Sequence, residues 1–462
     1  MYFMEVTMRE ASPISDNKKM VVYKRRQISK EINIGIIGFG TIGSAVVKAI
    51  KKNESIFRKR TGWHINLVAV CDKDPKVFRN SKLSRDIIKR KADDVINDPQ
   101  VDIVIELIGG IHPAKEIIKG ALANKKYVIT ANKALLADHK SELFKVAKDN
   151  NVGLYYEASV MAGVPLIKVL REGLIANRIK SMWGIINGTS NYILSNMYNK
   201  GASFKDSLKE AKNKGFAERN YSLDIEGIDS AHKLAVISSL AFGQDIRLED
   251  ISIEGIMSIS SADIMYAKEL GYNIKLLAIA KNLKDSIEVR VHPTLLPKNH
   301  ILSNVDGVYN AIYIQSDLAD DLFLYGQGAG GEPTSSGIIS DIANIISDMQ
   351  KTEDKGSDIL INSLKKKRIK GLDEIESCFY IRFMAIDNPG VLAKISGILG
   401  KYKISIASVV QKAKSMQKAV PIIMLIHKTK EYSLKKALSE IDKLSVIKAR
   451  SVAIKIEQEK EL

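Results

Sequence analysis

The chain has few cysteines, no long apolar runs and no basic-aromatic motifs, and each shortage removes a class of protein. Two cysteines in 462 residues, Cys71 and Cys378, cannot build a disulfide scaffold. They fall in different predicted domains among apolar neighbours, which suits buried thiols in a reducing compartment, so a cytoplasmic location is expected. No apolar stretch reaches the ~18 residues that a membrane-spanning helix needs, and no membrane partner is expected. Residues 1–30 carry scattered Lys and Arg without an apolar core, and Glu5, Glu10 and Asp16 do not suit a transit peptide. They are expected to form a flexible extension. Acids are scarce relative to bases, 53 against 70, giving a formal charge of +17. The lysines are spread along the chain, however, and the densest run, Lys365–Lys370, sits where a linker is expected. No zinc-finger or aromatic RNA-binding pattern accompanies them, so anionic small molecules are the expected partners and nucleic acid is not. What remains, 45% apolar and 27% charged, is ordinary globular composition, long enough for two to four domains.

The apolar run Ile32–Ile37 ends in Gly38-Phe39-Gly40-Thr41-Ile42-Gly43 and passes directly into the amphipathic Ala45, Val46, Ala49 and Ile50. Strand, glycine turn and helix in that order let the backbone approach a pyrophosphate, which the free N–H groups of the helix start stabilise. A second strand, Ile65–Val70, leads to Asp72, suited to a ribose 2′-hydroxyl, and Lys73, suited to a 2′-phosphate. The choice between NAD and NADP stays open. Strands at Val101–Leu107, Tyr127–Thr130 and Gly153–Glu157 alternate with helical patterns and predict a doubly wound parallel sheet over 31–158. Its functional groups should gather at the carboxyl ends of the strands, at Glu106–Gly110, Thr130–Lys133 and Glu157–Val160, with Gly109, Thr130, Asn132, Lys133 and Glu157 among them.

A second concentration of chemistry is GFAERNYSLDIEGIDSAHK, Gly215–Lys233, with Glu218, Asp224, Glu226, Asp229 and Lys233 in one short segment. Apolar residues at helical spacing from Ile228 onward put Asp229 and Lys233, four apart, on one face. Alone, such a pair reads equally as a solvated ion pair worth a few tenths of a kcal/mol.

The strings GFGTIG, DIVIELIGG, TANKALLA, EASVMAGVP, NGTSNYIL, GFAE to DIEGIDSAHKLA, RVHPTLLP and YGQGAGGEPT occur in order between Ile32 and Asp348. Together they resemble the homoserine dehydrogenases, which interconvert aspartate 4-semialdehyde and homoserine with NAD or NADP. The resemblance implies that Lys233 is the acid/base lysine and Lys133 a second active-site lysine. Glu218 and Asp229 would bind the substrate's amino group and order the site, with Asp224 nearby and Gly188 and Thr189 at the substrate's polar end. Gly38–Gly43, Asp72, Lys73, Gly109, Thr130, Lys133 and Gly328 would hold the cofactor. It also implies a sodium ion on the Glu157 carboxylate and the main-chain oxygens of Val160, Ala162 and Val164, an all-oxygen set suited to a hard cation. The competing reading is that Glu157 ends a strand and bonds backbone amides. The chain departs from the family pattern at Met161-Ala162-Gly163, His112 and Arg219-Asn220-Tyr221. His112, His232 and His292 lie beside motif residues but lack metal-ligand spacing, and packing roles are expected for them.

Residues 159–350 are expected to form an α+β catalytic and dimerisation domain in a homodimer or homotetramer, and the resemblance implies that 331–350 returns to the nucleotide-binding domain. Residues 351–375 read as a charged linker. Over 376–462 the order βαββαβ fits a ferredoxin-like sandwich, and DNPGVLAKISGILGKYKISI resembles the start of an ACT domain, a module that binds amino acids. In related dehydrogenases the effector is threonine, placed where Asn388–Leu392 meets the strand carrying Ile406 and Ser408 of a partner module. Truncation before Glu376 is expected to leave catalysis largely intact. The competing function is a non-catalytic amino-acid sensor on a dehydrogenase scaffold, against which Lys133, Glu218, Asp229 and Lys233 stand.

Overall fold

The structure, a computed structural model, describes residues 30–217, 220–350, 366–412 and 419–457. The expected extension over 1–30 lies outside the described residues except for Lys30.

The first layer runs β1 (Lys30–Ile37), α1 (Thr41–Thr61), β2 (Trp63–Cys71), β3 (Ile88–Lys89), α2 (Ala92–Ile96), β4 (Ile103–Glu106), α3 (Ala114–Ala123), β5 (Tyr127–Thr130), α4 (Lys133–Asp149) and β6 (Leu154–Tyr155). Its strands are parallel in the order β3-β2-β1-β4-β5-β6. Helices cover both faces, so β4 and β5 are buried along their whole length and read as unbroken apolar runs. Strand order reverses beside β1, opening a crevice at the carboxyl ends of β1 and β4, where an open α/β sheet binds its ligand. The strand expected over Gly153–Glu157 is shorter. The Glu157 amide donates to the Asp341 carboxylate (2.9 Å) instead of a neighbouring strand, and Glu157–Ser159 curl into a 3-10 turn.

The second layer contains α5 (Leu166–Lys168), β7 (Ile179–Ile185), α6 (Gly188–Lys200), α7 (Phe204–Asn213), α8 (Ser222–Ile225), α9 (Ile228–Phe242), β8 (Ser252–Ile253), α10 (Ser261–Glu269), β9 (Tyr272–Asn282), β10 (Ser286–Pro297), β11 (Tyr309–Ser316) and β12 (Asp321–Gln327). Here β12-β11-β7-β9-β10 form a largely antiparallel sheet. Apolar side chains of α6 and α9 share one core with Ile274, Leu276, Ala278 and Ala280 of β9. The following helix, α11 (Gly331–Met349), returns to the first layer, where Ile338, Ile342, Ile345 and Ile346 share a core with Ile34, Val46 and Ile129.

The third part contains β13 (Arg368–Ile369), β14 (Glu376–Ile386), α12 (Val391–Lys401), β15 (Ile406–Val410), β16 (Ala419–Lys430), α13 (Glu431–Ile441) and β17 (Ile447–Ile456). The βαββαβ unit has the strand order β17-β14-β16-β15, with both helices on one core of Phe379, Phe383, Ile395, Met424 and Leu434. This unit does not hang from a tether. β17 pairs in parallel with β10, Thr294 beside Lys455 and Leu295 beside Ile456, so the two sheets are continuous. Buried ion pairs reinforce the joint: Arg290 donates to Glu288 (2.5 Å) and to Glu457, and Lys281 reaches Glu457 at 2.9 Å. On the other side, Arg382 of β14 donates to Asp263 of α10 at 2.7 Å. Of the expected linker 351–375, the described part from residue 366 on is held in place. β13 pairs with β10, and the Lys367 ammonium donates to the Asn282 amide oxygen and the Leu283 carbonyl, both at 2.6 Å. Among the described residues, no helix is long and apolar enough to cross a membrane.

Candidate active site

The register Ile37–Glu106–Thr130 sets three loops side by side on one sheet edge: Gly38–Gly43 after β1, Leu107–Gly110 after β4 and Ala131–Lys133 after β5. Gly38 has φ +103°, and a Cβ on Gly43 would fall 2.2 Å from the Gly38 carbonyl, so both glycines are required by the turn. Gly40 is different. It caps α1, and a Cβ there would meet nothing within 4 Å. With Thr41 and Ile42 it forms the helix start, whose first turn has no acid to oppose an anion. Phe39 is buried and stacks on Phe78. Asp72 accepts the Phe39 amide at 2.7 Å and the Asp74 amide at 2.9 Å, which makes it a brace of the glycine loop, while Lys73 is exposed beside it.

Glu106, fully buried at the end of β4, organises the other two loops. One carboxylate oxygen accepts the amides of Ile108 (2.7 Å) and Gly109 (3.2 Å), and the other accepts the Thr130 hydroxyl at 2.7 Å. Thr130 accepts the Asn132 amide in turn, and Asn132 caps α4 through the Leu135 amide while donating to the Gly110 carbonyl at 2.6 Å. This chain of bonds puts Lys133 in the first turn of α4, the end of a helix dipole least suited to a cation. Asp229 offsets that cost from 3.2 Å away.

Asp229 sits in the first turn of α9, where the helix dipole favours a carboxylate. It is only 7% exposed and Lys233 only 8%, so the pair is not a solvated surface pair. Its two oxygens are divided: Oδ1 faces Lys133, while Oδ2 accepts from Lys233 at 2.7 Å and from the Asn187 side-chain amide at 2.8 Å. Burial alone would raise the Asp229 pKa, but Lys233 and Lys133 outweigh it and hold the carboxyl well below the usual range. Burial pulls the Lys233 pKa down, with Lys133 adding to the effect and Asp229 opposing it. Lys233 also donates to the Ile186 carbonyl, at 2.7 Å.

Asn187 links the cluster to its surroundings. It donates to Asp224 (2.7 Å) as well as to Asp229, and its oxygen accepts the Ser190 amide as the cap of α6. Asp224 has its pKa raised, first by burial and then by Asp229. Thr189 donates to the Phe216 carbonyl at 2.7 Å, and a Cβ on Gly188 would meet the Val308 carbonyl at 2.7 Å, so these two residues pack the turn between β7 and α6. Glu218 lies outside the described residues.

At the loop proposed for sodium, the Glu157 oxygens accept the amides of Ile167 (2.9 Å) and Lys168 (2.8 Å), and burial raises the Glu157 pKa. Met161 and Ala162 have φ of +55° and +27°, a left-handed turn built without glycine. The Val164 carbonyl accepts the Leu166 amide, and the Gly163 amide ties this loop to Gln327 at 3.1 Å. Gly328 is fixed by packing, since a Cβ would lie 2.1 Å from the Asn310 side chain. His292 is buried between Arg290 and Thr294, and exposed His112 pairs with Glu116.

Sequence reasoning placed Glu106 and Asn132 at functional strand ends without giving either a role, and passed over Asn187. All three are strand-end or cap residues, and the Asn-Gly-Thr and Asn-Lys steps before helices carried the signal.

Family models for homoserine dehydrogenase match residues 165–343, and for the homoserine dehydrogenase NAD binding domain residues 38–157. The chain is 42% identical to the homoserine dehydrogenase of Helicobacter pylori over 432 residues, 93% of this chain and 100% of the relative. It is 40% identical to that of Neisseria gonorrhoeae over 93% of this chain and 99% of the relative. The crystal structure of a Thiobacillus denitrificans homoserine dehydrogenase superposes with a TM-score of 0.87 at 39% identity, covering 93% of this chain and 99% of that one. A hyperthermophilic archaeal homoserine dehydrogenase in complex with NADPH superposes with a TM-score of 0.59 at 27% identity, over 70% of this chain and 100% of that one. A dinucleotide crevice, a buried lysine–carboxylate cluster and relatives matched over nearly their whole length place this chain in the homoserine dehydrogenase family, NAD(P)-dependent oxidoreductases that interconvert aspartate 4-semialdehyde and homoserine.

Proposed function

We propose that Lys233 is the acid that protonates the oxygen of aspartate semialdehyde during reduction, and the base that takes the same proton from homoserine. The observation that carries this is the single carboxylate, Asp229, fixed between two lysines in a site of low exposure. The bound dinucleotide supplies or accepts the hydride. Around that event Lys233 gives its proton to the developing alkoxide, Asp229 and the Ile186 carbonyl hold the ammonium in place, and Lys133 adds positive charge near the same oxygen. With both Asp229 oxygens engaged, the substrate ammonium is assigned to Asp224, with Glu218 assigned beside it on the family resemblance alone, and Gly188 and Thr189 shape the wall beside its polar end. The open approach to Gly40 fits a pyrophosphate at the start of α1, with Gly109, Thr130 and Lys133 on the neighbouring loops and Gly328 in the segment leading to α11. Because Asp72 braces Phe39, exposed Lys73 is the more available selector, which favours NADP.

Further assignments belong to the same proposal. Sodium would use the Val160, Ala162 and Val164 carbonyls with the lone pairs of Glu157 that its two amide contacts leave over, an oxygen-only set that fits a hard cation. Exposed Tyr309 and Tyr325, stacked on the face of β11 and β12, support a homodimer or homotetramer built through that sheet. The βαββαβ unit is proposed as an ACT domain that binds threonine near Asn388–Leu392. Among the described residues the half-buried strand β15, carrying Ile406 and Ser408, ends the sheet, which suits an edge that meets a second module.

Lys233→Ala tests the assignment. It should lower kcat by about 10²–10⁴-fold with dinucleotide affinity nearly unchanged. A loss below tenfold would remove Lys233 from the chemistry.

A further inference from the structure

Helices α4 and α9 carry the two halves of the site, Lys133 on the nucleotide-binding layer and Asp229 with Lys233 on the catalytic layer, and they pack against each other. The Lys133–Asp229 contact therefore crosses the boundary between layers, and its length depends on how α4 lies along α9. Lys133, Ala137 and Lys140 stand at i, i+4 and i+7, on one face of α4. Lys140 is only 2% exposed. Its ammonium reaches the far end of α9: Nζ lies 2.9 Å from Asp245 Oδ1 and donates to the Ile246 carbonyl at 2.6 Å, and to the Ala137 carbonyl of its own helix at 3.0 Å.

The Ile246 acceptor moves with α9. Gly243, left-handed at φ +60°, ends the helix and turns the chain, and the buried Ser239 hydroxyl accepts the Ile246 amide at 3.0 Å while donating to the Ala235 carbonyl at 2.7 Å. One face of α4 is thus tied to the first turn of α9 through Lys133 and Asp229, and about two turns further along it is tied to the chain just past the end of α9 through Lys140. Apolar packing between the helices is non-directional and leaves room to slide, whereas a buried ammonium whose three donors face three fixed acceptors does not. A buried ion pair adds little stability over an apolar pair of the same shape, so stability gives no reason for a lysine here. Geometry does. We propose that Lys140 is a positioning residue for the reaction, which fixes α4 on α9 and so sets the Lys133 ammonium against Asp229. The inference rests on the active-site reading of Lys133 above.

The test is a double-mutant cycle in the full chain, with kcat, the KM for aspartate semialdehyde, dinucleotide Kd and Tm measured on each variant. Lys140→Met keeps an apolar stem and removes the ammonium, while Asp245 retains Arg247 at 3.7 Å. Lys140→Met/Asp245→Asn removes both charges and carries the comparison where the single variant does not fold. Either change should lower kcat about tenfold, more than it alters KM, with dinucleotide Kd within about twofold of the parent. In a Lys133→Ala background the same change should lower kcat by less than about twofold, because the group it positions is gone. A Lys140 variant with parental kcat, or one that loses the same factor with and without Lys133, overturns the inference and leaves Lys133 in the site. Parental kcat in Lys133→Ala removes Lys133 from the site and the inference with it.

Discussion

Asn187 shows how much of the site depends on residues without ionisable groups. One side chain spaces Asp224 from Asp229 and caps α6, so Asn187→Ala should cost about 1 kcal/mol of stability through the lost cap and lower kcat/KM by more than that stability loss explains. Denaturation midpoints and steady-state kinetics on one preparation separate the two effects, and unchanged kinetics would make Asn187 purely structural. Lys233 allows a pH test. Burial lowers its pKa, so the neutral form that homoserine oxidation needs becomes available below the ordinary lysine value of 10.5. The oxidation rate should rise with pH through a midpoint below that value, and the reduction rate should fall through the same group. In Lys233→Arg the oxidation limb should disappear, because arginine stays protonated. Persistence of the limb would assign it elsewhere. At this scale the sequence displayed the charged residues but not their partners. Asp229 and Lys233 were visible as an i, i+4 pair, whereas their burial, and the bond from the Phe39 amide to Asp72, depend on contacts between distant segments.

Whole elements were legible where periodicity was strong. β5, β14 and the glycine turn into α1 stand where the pattern puts them, while β7, β12, α6 and α7 lack a clean period and only the folded sheet defines them. The two-residue strands β3, β8 and β13 carry no sequence signal at all. Strand β17 matters more, because its ladder to β10 and the Arg290 cluster join two sheets that the sequence suggested were connected by a linker. Glu457 is held down to about 2, burial opposing and Arg290 and Lys281 prevailing. Its folded-state value lies below the unfolded one, so its contribution is present above about 4.5 and lost as pH falls toward about 2. Glu457→Gln leaves Arg290 short of a partner in a buried place and should cost about 3 kcal/mol, with a shallower acid dependence than the parent. Equal stability across pH 3–7 in calorimetry would show that the joint does not depend on this carboxylate.

For the molecule as a whole, sheet continuity reverses the expectation for truncation. Removing residues from Glu376 onward would uncover β10 at Thr294 and Leu295 and leave Arg290 without Glu457, so the shortened chain should melt at lower temperature and aggregate, losing activity through instability. Size-exclusion and thermal melts decide this, and a monodisperse truncated protein with unchanged Tm would show that the units are separable. The central claim, that a buried lysine on α9 carries the proton in aspartate semialdehyde reduction, is tested most directly by following NADH and NADPH oxidation in parallel with that substrate. The parent chain and Lys233→Ala should be run side by side, with dinucleotide binding measured on both. The account predicts oxidation by the parent, faster with NADPH, and a loss of about 10²–10⁴-fold in the variant at unchanged dinucleotide affinity. A variant that turns over at near-parental rate would contradict it.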